Sequence, residues 1–229
     1  MPKKNTSKDV WLIAAILGAL ALSLPALAPA SPQSRQLILM GHADMESGKY
    51  EGALQKFHAA SQADAGDSEA FYFGGAALNR LGRFDEALQL LERASAMGFR
   101  GVGLTFDTGW ALLRLGRWAD AAAQLEHFER LVSGRGKTSE FLGQAYLGLM
   151  QYDRAEVKLK EAIEREPNLK PMALLHLSVL ERSRNNPSAA EGYVQTIMQE
   201  SPDSPIAQAL KSHREAFTAS KRKTGKSTY

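Results

Sequence analysis

Small, aromatic and apolar residues recur along the chain at a constant spacing. The series starts at Gly48, Gly82, Gly116 and Met150, and an aromatic residue follows two positions later as Tyr50, Phe84, Trp118 and Tyr152. Alanine comes next at Ala53, Ala87, Ala121 and Ala155, and a large apolar residue four positions on at Phe57, Leu91, Leu125 and Leu159. Such spacings of three and four are typical of a buried helix face. The pattern predicts four consecutive units of two helices joined by a turn.

The two helices of each unit are predicted to pack closely. A glycine after the first helix can adopt the left-handed conformation that closes a helix. A second set of glycines lies within the first helices, at Gly41, Gly75, Gly109 and Gly143. These glycines predict the points at which the paired helices cross. The alanines of the second helices allow the same close approach, and the large apolar residue beyond them fills the remaining space.

A weaker fifth unit covers residues 170–204 once one extra residue is allowed in its turn. Ala190, Val194 and Ile197 continue the series of the second helices, whereas Leu177 takes the place of the crossing glycine. A further helix over 205–220 carries apolar residues that would face the last unit. It is predicted to cap the array, because stacked repeats need a polar outer face at their ends.

These positions resemble those of the tetratricopeptide-repeat family, whose repeats are about 34 residues long. The resemblance implies an all-α fold: a right-handed superhelical solenoid of about five helix-turn-helix repeats with a C-terminal capping helix. The implied units are 34–67, 68–101, 102–135, 136–169 and 170–204, and the capping helix is 205–220. The implied shape places the first helices along a concave groove, and the implied function is protein binding.

The repeat register places aromatic and polar side chains on the groove. The candidate partner-binding residues are His42, Tyr72, Asn79, Phe106, Trp110 and Gln144. Tyr72, Phe106 and Trp110 form a predicted aromatic strip, and large aromatic side chains are enriched in binding hot spots. Packing between helices is their alternative role. Relatives that bind a C-terminal carboxylate have lysine and asparagine where this chain has Ile38 and His42, which argues against that mode.

The N-terminal segment over 1–30 is predicted to direct export. Lys3, Lys4 and Lys8 precede an uncharged stretch, and small residues up to Ala30 complete the layout of a secretory signal. Cleavage after Ala30 gives a periplasmic protein. The alternative is an uncleaved anchor over residues 10–28, which is just long enough to span a membrane. In both cases the lysines hold the N-terminus inside, so we expect the body outside the cytoplasm.

The charge distribution argues against nucleic-acid binding. The chain has 28 Lys and Arg against 25 Asp and Glu, a formal net charge of +3. The basic excess belongs to the N-terminal lysines and to the tail over 221–229, which is predicted to be disordered. The body between these ends is slightly acidic, whereas a nucleic-acid-binding domain concentrates cations on its folded surface.

The sequence offers no clear motif for catalysis, a metal or a cofactor. The absence of cysteine excludes disulfides and thiolate metal sites. Residues 134–138 resemble part of a phosphate-binding loop, but Leu131 stands where that motif requires glycine. The histidines lack the spacing that places two metal ligands on one helix face. We therefore expect a non-enzymatic scaffold without cofactor or metal, which binds one or more proteins in the assembly of an envelope complex. The alternative is a carbohydrate-binding or polysaccharide-export accessory protein.

Overall fold

The computed structural model describes residues 30–224, which form eleven α-helices and no β-strand. The predicted all-α solenoid is therefore confirmed. The helices are α1 (Pro32–Glu46), α2 (Tyr50–Ala63), α3 (Ser68–Arg80), α4 (Phe84–Ala96), α5 (Gly103–Arg114), α6 (Trp118–Leu131), α7 (Gly136–Gly148), α8 (Tyr152–Arg165), α9 (Lys170–Ser183), α10 (Pro187–Glu200) and α11 (Pro205–Thr224). A short 3-10 turn, Pro167–Leu169, precedes α9.

Two predictions fall on the ends of the chain. The export segment lies outside the described residues except for Ala30, and so does the basic tail beyond Thr224. The last helix, predicted to stop at 220, runs to Thr224, so the first four residues of the tail that was predicted to be disordered are helical. None of the helices between residues 30 and 224 is both long enough and apolar enough to cross a membrane.

The same tight turn joins the two helices of every pair. In the second pair the Gly82 N–H donates to Asn79 O at 3.2 Å, and the Arg83 N–H donates to Leu78 O at 2.9 Å. These are the two hydrogen bonds of a Schellman motif, which requires a left-handed residue after the helix. Gly48, Gly82 and Gly116 supply it with φ of +70°, +75° and +74°, and Met150 and Asn185 take the same role with φ of +58° and +62°.

The glycines within the first helices lie where each pair crosses, as predicted. A Cβ built on Gly75, Gly109 or Gly143 would lie 2.8, 2.8 and 2.6 Å from the Cγ of Leu91, Leu125 and Leu159 respectively. Real Cβ atoms do not approach a neighbour so closely, so any larger residue at these positions would push the two helices apart. The leucines themselves are fully buried. Each of these three crossings therefore pairs a glycine with a leucine.

In the fifth pair the larger side chain of the crossing lies on the first helix rather than on the second. Leu177 is buried at the position of the crossing glycine. Val194, which is smaller and only half-buried, stands at the register position of the large leucine. Ala190 and Ile197 remain fully buried, as the repeat pattern requires. The capping helix α11 closes this end by burying Ala207 against the core of the last pair.

The array curves around its first helices. Each first helix packs against the first helix of the next unit, so that α1, α3, α5, α7 and α9 form a continuous seam. Within the described part of the chain, the backbones of consecutive second helices stay apart. One side of the array is therefore shorter than the other, which places the first helices on the inner, concave surface. We call the part of this surface formed by α3, α5, α7 and α9 the groove.

Candidate partner-binding groove

The groove contains a cavity of about 700 Å³, within the usual range of about 300–1,000 Å³ for ligand pockets. All four first helices contribute to it, together with side chains from the starts and ends of the second helices. The lining residues used below are Asn79, Arg80, Phe84, Phe106, Trp110, Arg114, Arg135, Lys137, Thr138, Glu140, Phe141, Gln144, Glu166 and His176.

Aromatic rings form one wall of the groove cavity. Phe106 stacks on Phe141 with ring centroids 5.6 Å apart, and the Trp110 ring lies 5.9 Å from the same phenylalanine. Phe141 is buried, whereas Phe106 and Trp110 are half-buried and border the open space. Offset and tilted aromatic contacts of this kind stabilise a fixed arrangement of rings. The wall is thus a preformed apolar surface on which another large side chain can pack.

Hydrogen bonds from two side chains of α3 to one residue of α5 link these helices beside this wall. The Asn79 amide Nδ2 donates to the backbone oxygen of Asp107 at 2.9 Å, and the Tyr72 hydroxyl donates to Asp107 Oδ2 at 3.0 Å. Burial raises the pKa of Asp107 to about 6 and also raises the pKa of the Tyr72 hydroxyl. These bonds fix the spacing of two neighbouring first helices and hence the width of the groove.

A buried carboxylate lies in the floor of the cavity on α7. Glu140 is only 1% exposed and accepts hydrogen bonds from Lys137 Nζ at 2.6 Å and from Gln144 Nε2. His176 on α9 approaches the same carboxylate with Nδ1 at 3.7 Å. Burial lowers the pKa of His176, which keeps the ring neutral near pH 7. Among the described residues, the charge of Glu140 is therefore matched by Lys137 alone.

Three polar atoms of the cavity lining are buried without a hydrogen-bond partner among the described residues: Asn79 Oδ1, Thr138 Oγ1 and His176 Nδ1. A buried acceptor or donor that is left unpaired costs about 1–3 kcal/mol. Native structures keep few such groups, and those that persist call for an explanation such as a ligand or an ordered water. All three residues line the same cavity, which marks it as the candidate binding site.

The sequence-predicted groove residues divide into two sets. Asn79, Phe106, Trp110 and Gln144 line the cavity, although Asn79 is buried and Gln144 is bonded to Glu140. Tyr72 and His42 do not line it. Tyr72 stacks on Phe99 with centroids 4.3 Å apart, and His42 packs edge-on against Phe73 at 4.1 Å. A role in binding stays a prediction for all six.

Sequence reasoning missed several residues of the cavity. Phe141 follows Glu140 directly and Thr138 precedes it by two residues; Glu140 itself stands 34 positions after Phe106 and so falls on the repeat register. Arg80 and Arg114 close the ends of α3 and α5 and occupy the same position of two consecutive units, so their repetition was visible in the sequence. His176 belongs to the fifth unit, where the extra residue and Leu177 blur the register.

The groove cavity combines titratable, apolar and unpaired polar groups. The buried Glu140 is bonded to Lys137, and the half-buried His176 lies 3.7 Å from the same carboxylate. No group of three or more His, Asp or Glu side chains between residues 30 and 224 is placed to hold a metal ion. What the site offers is an aromatic wall, unpaired polar atoms in its floor and several basic side chains at its rim.

Comparisons with known proteins agree with this architecture. Two family models, both described as tetratricopeptide repeat, match residues 44–99 and 142–205, which together make up more than half of the chain. A comparison with curated protein sequences finds no match.

Several solved structures share the fold. MamA (41-end) from Desulfovibrio magneticus RS-1 superposes with a TM-score of 0.64 at 19% identity, over 76% of this chain and 99% of that one. YrrB, described as a protein with an unusual peptide-binding site, superposes with a TM-score of 0.61 at 19% identity, over 77% of this chain and 90% of that one. TTC0263, a thermophilic protein from Thermus thermophilus, superposes with a TM-score of 0.59 at 21% identity, over 79% of this chain and 97% of that one.

Proposed function

Because this chain belongs to the tetratricopeptide-repeat family, we propose that it is a non-enzymatic scaffold that captures a segment of a partner protein in its groove. The observation that carries the proposal is the groove cavity, where an aromatic wall adjoins three buried polar atoms without partners among the described residues. A peptide can satisfy both features. Its apolar or aromatic side chains can pack on the wall, and its backbone N–H and C=O groups can bond to the polar atoms. YrrB, a structural neighbour with a peptide-binding site, supports this assignment by analogy.

We further propose that the scaffold works in the cell envelope and supports the assembly of a larger complex there. The N-terminal lysines and the uncharged stretch that follows them support export. The body is periplasmic if the chain is cleaved after Ala30, and otherwise it is held at the cytoplasmic membrane through residues 10–28. A fusion of residues 1–35 to alkaline phosphatase, which is active only after export, tests this location. An inactive but stable fusion would refute it.

The partner can be identified by cross-linking in the cell. A photo-reactive amino acid at position 144, in the groove cavity, is expected to capture a discrete partner on irradiation. The matched control places the same amino acid at position 157, an exposed site on α8 outside the cavity. Equal capture from both positions would contradict binding in the groove. A glycan array run with the same protein separates protein binding from carbohydrate binding.

Truncation of one tryptophan then measures what the groove contributes. Trp110→Ala removes part of the aromatic wall and is expected to weaken capture of the cross-linked partner more than tenfold, because hot-spot truncations cost about 2 kcal/mol or more. Trp118→Ala is the control: Trp118 is exposed and packs against Gly148, away from the cavity. Thermal unfolding of both variants separates lost binding from lost stability. Unchanged capture by Trp110→Ala would overturn the assignment of the groove.

A further inference from the structure

Three arginines at the rim of the groove cavity form no ion pair within the described part of the chain. Arg80, Arg114 and Arg135 are exposed and line the cavity. Among the described residues, none of them has a carboxylate oxygen within 4 Å, the distance that defines an ion pair. Two of them lie on the aromatic lining instead, Arg80 with Cζ 5.0 Å from the Trp110 ring centroid and Arg114 with Cζ 5.5 Å from that of Phe84. These ring contacts hold the guanidinium groups of Arg80 and Arg114 at the rim, where their N–H groups can donate to an anion.

Several cations on the outer surface form ion pairs with acidic side chains. On α8, Lys158 pairs with Glu129 at 2.8 Å and Arg154 pairs with Glu126 at 3.0 Å. Arg117, at the start of α6, pairs with Asp120 at 2.7 Å. Arg100, Arg130 and Arg182, outside the cavity, likewise form no ion pair among the described residues, so what distinguishes the groove is that three such arginines border one cavity.

The acids of the cavity do not balance its cations. Among the described residues only Glu140 and Glu166 line it as acids, against Arg80, Arg114, Arg135 and Lys137. Glu140 is already bonded to Lys137, and Glu166 accepts the backbone N–H of Lys137 at 3.3 Å. The cavity thus presents a positive rim around an apolar wall, on a body whose sequence is slightly acidic overall. A concave site lined by one sign of charge focuses its field and attracts the opposite sign.

We propose that the groove selects an acidic segment built around one large aromatic side chain. The aromatic anchor packs on the wall formed by Phe106, Trp110 and Phe141, and flanking Asp or Glu side chains bind the three rim arginines. Arginine suits this role because its planar guanidinium forms paired hydrogen bonds with a carboxylate. The inference rests on the proposed function and adds to it the chemistry of the partner.

The buried polar atoms indicate how the backbone of such a segment is held. Asn79 Oδ1 is an acceptor and fits a peptide N–H, whereas the Thr138 hydroxyl can donate to a peptide C=O or accept from an N–H. One atom belongs to α3 and the other to α7, so a chain that meets both crosses the cavity between them. The partner segment therefore lies across the first helices, and its aromatic anchor points from there onto the aromatic wall.

Fluorescent peptides test the proposal directly on the full-length protein. The reference peptide has a central tryptophan between two runs of three acidic residues. In one relative alanine replaces the tryptophan, and in a second lysines replace the acids. We expect the reference to bind at least tenfold more tightly than either relative, and to weaken as salt rises, because screening reduces attraction between exposed charges.

Variants of the protein locate the binding. Arg114→Gln is expected to weaken the reference peptide at least threefold, and the double variant with Arg80→Gln further. Arg130→Gln is the matched control, since Arg130 is exposed on α6 and does not line the cavity. Circular dichroism should show that all variants melt like the parent.

The outcomes separate this inference from the function on which it rests. If tryptophan peptides bind equally whether their flanks are acidic or basic, or if Arg114→Gln binds like the parent, the acidic partner is refuted while groove binding stands. If no test peptide binds although position 144 captures a partner in cells, the acidic partner is likewise refuted and groove binding stands. If neither peptides nor a cellular partner engage the groove, both proposals fall.

Discussion

The crossing of α7 and α8 allows a quantitative test of the packing. Gly143 lies in the middle of α7, and a Cβ there would stand 2.6 Å from Leu159 Cγ and 2.7 Å from Leu159 Cδ2. Two effects oppose one another when Gly143 becomes alanine. Helix propensity favours alanine over glycine by about 1 kcal/mol. Overpacking of a filled core costs about 1–3 kcal/mol.

The structure decides which effect is larger. The nearest atom that the new Cβ meets is Cγ, the branch point of a fully buried leucine, which cannot turn aside as the tip of a flexible side chain would. Ala155 O lies 3.4 Å from the same Cβ position, which limits relief by sliding the helices. We expect the clash to exceed the propensity gain, so that Gly143→Ala lowers the free energy of unfolding by about 1–2 kcal/mol. For a domain of this size that corresponds to a fall of roughly 3–6 °C in Tm.

Thermal and urea unfolding of a double-mutant cycle provide the assay. Leu159→Ala alone is expected to cost about 2–5 kcal/mol, because it leaves a cavity. In the double variant the added methyl occupies part of that cavity, so the combined loss should be smaller than the sum of the two by about 1 kcal/mol or more. A Gly143→Ala variant that melts above the parent, or strictly additive losses, would refute the close crossing.

Three further variants test other features. Met150→Gly is expected to stabilise the protein by about 1 kcal/mol in urea unfolding, because Met150 is 74% exposed and its φ of +58° disfavours any residue with a Cβ; a loss of stability would contradict this. Ala121→Leu should cost about 1–3 kcal/mol, since Ala121 is fully buried in the second helix of its pair; an unchanged Tm would show that this contact is wrong. Asp107 has a pKa of about 6 in the folded protein, above the usual value of about 3.9, so its stabilising contribution is full below about pH 4 and is lost as pH rises through 6. Asp107→Asn should therefore gain stability relative to the parent as pH rises from 5 to 8, and a difference that does not vary with pH would contradict the raised pKa.

Backbone geometry was readable from the sequence because residue type encodes it directly. Gly82 and Gly116 mark left-handed turns that glycine adopts at the lowest cost, and Gly75 and Gly109 mark crossings where no side chain fits. These constraints act within a single unit and recur once in each unit. They predict the helix pairs and their order without any knowledge of the contacts between units.

The binding site depends on contacts between units, and for that reason only part of it was predicted. The register places Asn79 on the groove side, but it does not show that the amide turns to bind Asp107 O, 28 positions away. Glu140 and Phe141 are neighbours in sequence, and whether the carboxylate or the ring borders the open space depends on Lys137 and on the helix opposite. Such choices follow from distances across the array, which a linear pattern does not contain.

The two edges of the array are built from different kinds of interaction, and this has a mechanical consequence. Backbone packing along the seam of first helices holds the inner edge, whereas side-chain ion pairs such as Lys158–Glu129 and Arg154–Glu126 bridge α6 and α8 on the outside. Salt screens the more exposed Arg154–Glu126 pair most, screens the largely buried Lys158–Glu129 pair less and leaves apolar packing largely unaffected. We therefore expect the outer edge to be the more compliant one, and the curvature of the array to vary with the ionic strength of its surroundings.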